Sequence, residues 1–174
     1  MKKALYVCAV LLFLITAGCE KQSAPKNQTP PPIPAAFTAK LDVKFGDISM
    51  TASLTKNASD DYTVQMLTPE IMSPLALAYK DGGCTVTYDG LNFETDLNRF
   101  PQSEFGGLLT SALSDIEHGI DIETMISEGT VTYKGNGERG IYTVKRNAEN
   151  GAWLEFSAEG AQLHVVFSEY KTSQ

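Results

Sequence analysis

Three cysteines, two histidines and one tryptophan are all that 174 residues contain of those types. Such scarcity excludes a disulfide-stapled scaffold and leaves little for a zinc site. Basic residues are also few, 14 Lys and Arg against 21 Asp and Glu, for a net charge of −7. No basic run is longer than two residues, so neither nucleic acid nor an anionic headgroup surface suits the chain as a partner. GxSxG, HExxH, CxxC and P-loop patterns are all missing. No residue is therefore nominated as catalytic, as a metal ligand or as a cofactor contact, and the chain does not read as an enzyme.

Long apolar runs are missing too, with one partial exception. Ala4 to Ala17 is apolar apart from Thr16 and follows Lys2-Lys3. Fourteen helical residues would reach ~21 Å, short of a ~30 Å hydrocarbon core. A signal for export fits better than a spanning helix. The run ends Ile15-Thr16-Ala17-Gly18-Cys19, which resembles a bacterial lipobox. The resemblance implies that residues 1–18 are removed and that Cys19 receives a diacylglycerol thioether. Two or more acyl chains anchor stably where one does not. The implied site is a membrane surface, either the outer face of the cell membrane or another envelope membrane. Removing Lys2 and Lys3 takes the net charge from −7 to −9. With Cys8 lost and Cys19 capped, Cys84 is left without a disulfide partner.

Residues 19–36 hold five of the eight prolines, at 25, 30, 31, 32 and 34. Such a segment favours polyproline II and reads as a semi-rigid tether. The domain is expected over 37–174. In "FTAKLDVKF", Phe37, Ala39, Leu41, Val43 and Phe45 alternate with polar residues, which is the period of a half-buried strand. The same period marks Ile48 to Leu54, Tyr62 to Met66, Leu75 to Tyr79, Cys84 to Tyr88 and Leu91 onward. Lys56 to Asp61 reads as a polar loop. Short Gly-containing turns join these runs into an antiparallel meander.

The period then changes. Phe105, Leu108, Leu109, Ala112, Leu113 and Ile116 recur at threes and fours and predict a helix capped by Ser103. Gly106-Gly107 weakens it and allows close backbone approach. A second short helix is expected from Asp121 to Gly129. Four more strands follow, around Val131, Tyr142, Leu154 and Leu163, with Gly135-Asn136-Gly137 read as a turn. Trp153 is expected to face outward, as an interface anchor or a cross-strand contact. Cys84 reads as a small core residue, and His164 points away from the core. His118 sits at a helix end, where it can meet the helix dipole. The carboxylates Asp115, Glu117, Asp121 and Glu123 read as solvated groups around the helix junction.

The fold class is therefore α+β: a strongly curved antiparallel half-barrel of about ten strands around a central helix between strands six and seven. This order resembles the LolA/LolB-like family of lipoprotein carriers. The resemblance rests on Pro69, Asp81-Gly82 and Tyr88-Asp89-Gly90, each after a strand as in the family. It implies a hydrophobic or acyl ligand between sheet and helix. Leu75-Ala76-Leu77-Ala78 lacks the arginine that ties down the helical lid of the soluble carriers. The implied cavity is lined by Leu41, Val43, Met50, Val64, Phe105, Leu108, Leu109 and Leu113. The same residues would equally form a filled core, and the domain would then be an envelope interaction or sensor module.

Overall fold

The computed structural model describes residues 29–80, 82–95 and 101–172. The lipobox and Cys19 lie outside these residues. Among the described residues, no helix is long and apolar enough to cross a membrane.

Alternation of apolar and polar side chains builds six strands first: β1 (Phe37–Phe45), β2 (Ile48–Ala58), β3 (Asp61–Thr68), β4 (Leu75–Lys80), β5 (Gly83–Tyr88) and β6 (Leu91–Thr95). A single turn of 3-10 helix, Glu70–Met72, fills the link before β4. The long helix α1 (Pro101–His118) follows β6. It starts two residues before the expected Ser103 cap. Gly119 ends it in the left-handed conformation, and Ile120 N donates to Asp115 O at 2.9 Å, the closing bond of a glycine-terminated helix. Five strands complete the chain: β7 (Glu123–Ser127), β8 (Thr130–Gly137), β9 (Gly140–Asn147), β10 (Trp153–Ala158) and β11 (Leu163–Thr172).

All eleven strands form one sheet in the order β6-β5-β4-β3-β2-β1-β11-β10-β9-β8-β7. Every pairing is antiparallel, and β1 joins the two halves by pairing with β11. The sheet is open, with β6 and β7 as its edges. Its curvature follows from where α1 packs. Strands β4 and β8 are seven steps apart in the order, which in a flat sheet would be ~34 Å. A helix is only ~10–12 Å across. Yet α1 packs against both strands, so the sheet curls around it. The core lies between them: Leu41, Leu54, Val64, Leu77, Val131, Val144 and Val165 from the sheet, Phe105, Leu109 and Leu113 from the helix.

Several expectations are corrected. Among the described residues the sheet has eleven strands, not about ten, because Asp121 to Gly129 is no helix: β7 lies there, pairing Met125 with Thr132 and Ile126 with Val131. Glu128 and Gly129, both at positive φ, make the tight hairpin turn. Ile122, Met125 and Ile126 fit a helical face, but the open edge of β8 offers hydrogen bonds along a whole strand. Lys56 is not in a loop; β2 runs through it. Gly135-Asn136-Gly137 belongs to β8, and the turn comes after it. Trp153 does not face outward. A bulge between Trp153 and Glu155 shifts the register by one, so Trp153 and Phe156 share the buried face and Leu154 is exposed.

Residues 29–36 lie against the domain. The buried Arg146 guanidinium donates to the carbonyls of Pro31 (3.2 Å) and Pro32 (3.1 Å), and Lys56 Nζ donates to Pro34 O at 3.3 Å. Arg146 also donates to Gly151 O at 2.9 Å and lies 4.6 Å from the Trp153 ring. Polyproline II leaves backbone carbonyls unpaired, which makes this segment a suitable acceptor for buried cations.

Candidate functional site

The inward face of β8 runs Val131, Tyr133, Gly135, Gly137. Where other strands place large apolar side chains, its second half places none. The Tyr142 ring, from β9, lies over Gly135; a Cβ there would come within 2.4 Å of the phenol. Beyond Tyr142 the missing volume is not filled. The result is a cavity of about 490 Å³ between α1 and the β8–β9 hairpin. Leu108, Ala112, Phe156 and Ala158 form its apolar floor, and Gly107 thins the helix wall. Glu104, Ser111, Asp115, Asn136, Glu138 and Arg139 supply the polar wall and rim.

Two polar contacts order this wall. Arg139 pairs with Glu104 across the opening. Tyr142 donates its hydroxyl to Asp115 Oδ2 at 2.9 Å. Burial first, then the hydrogen bond to Asp115, pushes the Tyr142 hydroxyl well above its ordinary value, so it stays a donor at any physiological pH. A smaller groove of about 190 Å³ flanks α1 on its other side, between Tyr62, Tyr79 and Ser114. Gly106 sits beside it, with a Cβ position 2.2 Å from Tyr79 Oη. The close approach read from Gly106-Gly107 is thus made to Tyr79 by one glycine, while the other borders the cavity.

Of the eight residues expected to line a cavity, Leu108 lines the one between α1 and the hairpin. Leu41, Val43, Val64, Phe105, Leu109 and Leu113 are buried in the core, and Met50 is packed partly buried against it. Tyr142, Phe156, Ala158 and Asp115 were missed as cavity residues. The signal was present in Gly135 and Gly137, which fall in phase with Val131 and Tyr133 rather than in a turn.

The helix end carries a second polar group. Ser114 Oγ donates to Asp60 Oδ1 at 2.5 Å, and His118 Nε2 lies 2.9 Å from Asp60 Oδ2. The Ser114 hydrogen bond, then that of His118, holds Asp60 below the usual carboxylate range, and Asp60 in turn raises His118. The carboxylate stands between serine and histidine, so the imidazole cannot take the serine proton; this is not a nucleophile–base arrangement. Asp60, Glu117 and His118 bring three ligand-type atoms within 4.8 Å of one another. The cation beside them is Lys56, fully buried and 2.8 Å from Glu117 Oε1. Asp115 and Glu117 are therefore engaged, not merely solvated. Cys84 is buried, and His164 is exposed near Glu155.

No protein-family model matches the chain, and no curated protein matches it. Solved structures similar to it include an uncharacterized conserved protein from Thermus thermophilus, at 9% identity over 82% of this chain and 81% of that one, with a TM-score of 0.50. A LolA superfamily protein from Nitrosomonas europaea aligns at 9% identity over 82% and 89%, with a TM-score of 0.45. A DUF1329 family protein from Desulfovibrio piger aligns at 9% over 98% and 92%, with a TM-score of 0.44. At this identity the likeness is one of fold. Among the described residues, one open antiparallel sheet curled around one long helix matches the half-barrel and central helix expected from the sequence.

Proposed function

We propose that this chain is an exported lipoprotein, anchored through Cys19, whose domain binds the hydrocarbon chain of an amphiphile between α1 and β8–β10. The carrying observation is the cavity of about 490 Å³, apolar at its floor and polar at its rim, within the size range of small-ligand sites. A hydrocarbon tail gains from the floor, and a polar head stays at the rim. Each buried methylene contributes ~0.8 kcal/mol, so two more carbons tighten binding by about tenfold until the floor is covered. The lipobox and Pro-rich segment support placement at a membrane surface; residues 29–36 laid along the domain would make the anchor-to-domain link shorter than a free spacer.

The test is a chain-length series of one headgroup, titrated against the purified chain by calorimetry. Affinity rising with length and then levelling supports the reading. A flat series, or no binding at any length, removes it. The interaction-module reading loses Trp153 as its anchor, since that ring is 1% exposed. It retains an exposed apolar rim at one end of the sheet, including Ile48, Ile71, Leu91 and Phe93.

A further inference from the structure

The charged groups around the cavity are unbalanced. Glu104, Asp115 and Glu138 are acidic, and among the described residues Arg139 is the one cation on the wall. Arg139 is committed to Glu104 across the opening. Among the described residues, that leaves Asp115 and Glu138 without a cationic partner. Asp115 is partly buried beside the apolar floor and is held in place by the Tyr142 hydroxyl. Glu138 stands exposed in the hairpin turn.

From this arrangement we infer that the cavity selects amphiphiles with a positively charged head, of the alkylammonium type, over those with a carboxylate or phosphate head. The inference rests on the reading that the cavity takes a hydrocarbon chain. A tail on Leu108, Ala112, Phe156 and Ala158 brings its head up to Asp115 and the rim. A cationic head there meets two uncompensated carboxylates. The Tyr142 ring, which lines the cavity beside Asp115, adds a π face that attracts a cation. An anionic head would meet like charge at the same distance, and like-charge contact is how binding sites reject a wrong partner. The net charge of −7 adds to this bias, since the field of the whole chain attracts cations and repels anions.

The experiment compares three amphiphiles of equal chain length, each below its micelle-forming concentration: dodecylammonium, dodecanoate and a neutral dodecyl glycoside. Calorimetry or amide-shift titration of the full chain reads the affinities. Dodecylammonium should bind about tenfold more tightly than dodecanoate or better, with the preference shrinking as salt rises. Glu138→Gln, at an exposed turn, should narrow the ratio without touching the core, and Asp115→Asn should narrow it further. Ser111→Trp, exposed on the cavity wall, should weaken every amphiphile alike. Dodecanoate or the glycoside binding as tightly as dodecylammonium, or a ratio that ignores both acidic variants, overturns the charge selection and leaves the hydrocarbon site standing. Failure of all three amphiphiles to bind overturns both.

Discussion

Replacing Arg146 by Met tests the clasp between the domain and its Pro-rich approach. Met keeps the apolar stem and removes the guanidinium. Four hydrogen bonds go with it: to Gly151 O at 2.9 Å, Pro32 O at 3.1 Å, Pro31 O at 3.2 Å and Tyr133 Oη at 3.3 Å. Gly151 O faces the interior and is left unmet, at a cost of ~1–3 kcal/mol. The contact with Trp153 at 4.6 Å contributes ~1–2 kcal/mol more. Against these, no carboxylate among the described residues pairs with Arg146, so removing a buried, dehydrated cation returns part of the loss. The net is a destabilisation of ~2–4 kcal/mol. For a chain of this size that lowers Tm by roughly 5–15 °C. The Pro31 and Pro32 carbonyls can turn to water only if the segment lifts. Thermal unfolding should therefore be paired with the amide chemical shifts of Ile33, Ala35 and Ala36, which should move toward random-coil values in the variant. A Tm within about a degree of the parent, with those shifts unchanged, would refute the reasoning.

Gly106→Ala should destabilise by ~1–3 kcal/mol in chemical denaturation even though Ala is the better helix former by ~1 kcal/mol, because its methyl would enter the buried Tyr79 phenol. Pairing it with Tyr79→Leu should recover much of that loss, whereas a stabilising Gly106→Ala would contradict the close approach. Lys56→Met should cost ~2–4 kcal/mol by stranding Glu117 at the core margin, and the double change with Glu117→Met should restore most of it, as replacing a whole buried pair usually does. The His118 resonance should titrate above its ordinary 6.5 through the hydrogen bond and charge of Asp60. The pair then stabilises the fold fully below pH 6.5 on the histidine side and loses that contribution as pH rises through the raised value; on the acid side it is lost as pH falls through the lowered value of Asp60. Asp60→Asn should return His118 toward 6.5 by NMR, and an unmoved titration would show that the contact does not form in solution.

Period-two patterning carried most of the sheet, because inward residues such as Leu41, Val43, Leu54 and Val64 alternate without interruption. Helix α1 was equally plain from threes and fours. Two of the misplacements share one physical cause: the phase of a strand continues past the point where residue type stops suggesting it. Ala52, Leu54 and Lys56 are in phase, as are Tyr142, Val144 and Arg146, and both cations are buried with carbonyl or carboxylate partners in place of water. Val131, Tyr133, Gly135 and Gly137 are likewise in phase, and the two glycines make the cavity by omission. Trp153 failed in the opposite sense: a bulge broke the phase, which no alternation rule detects. Asp121 to Gly129 was ambiguous because nine residues fit either period, and pairing with β8 decided it.

The central claim is that a hydrocarbon chain lies between α1 and β8–β10. The most direct measurement is photo-labelling of the chain with a diazirine-bearing alkylammonium probe, followed by mass spectrometric mapping of the adducts. Labels confined to peptides carrying Leu108 and Ala112, Gly137 to Tyr142, and Phe156 to Ala158, and lost in Ser111→Trp, are the predicted result. Labels on the outer rim at Ile48, Ile71, Leu91 and Phe93, or labelling unchanged by Ser111→Trp, would contradict it.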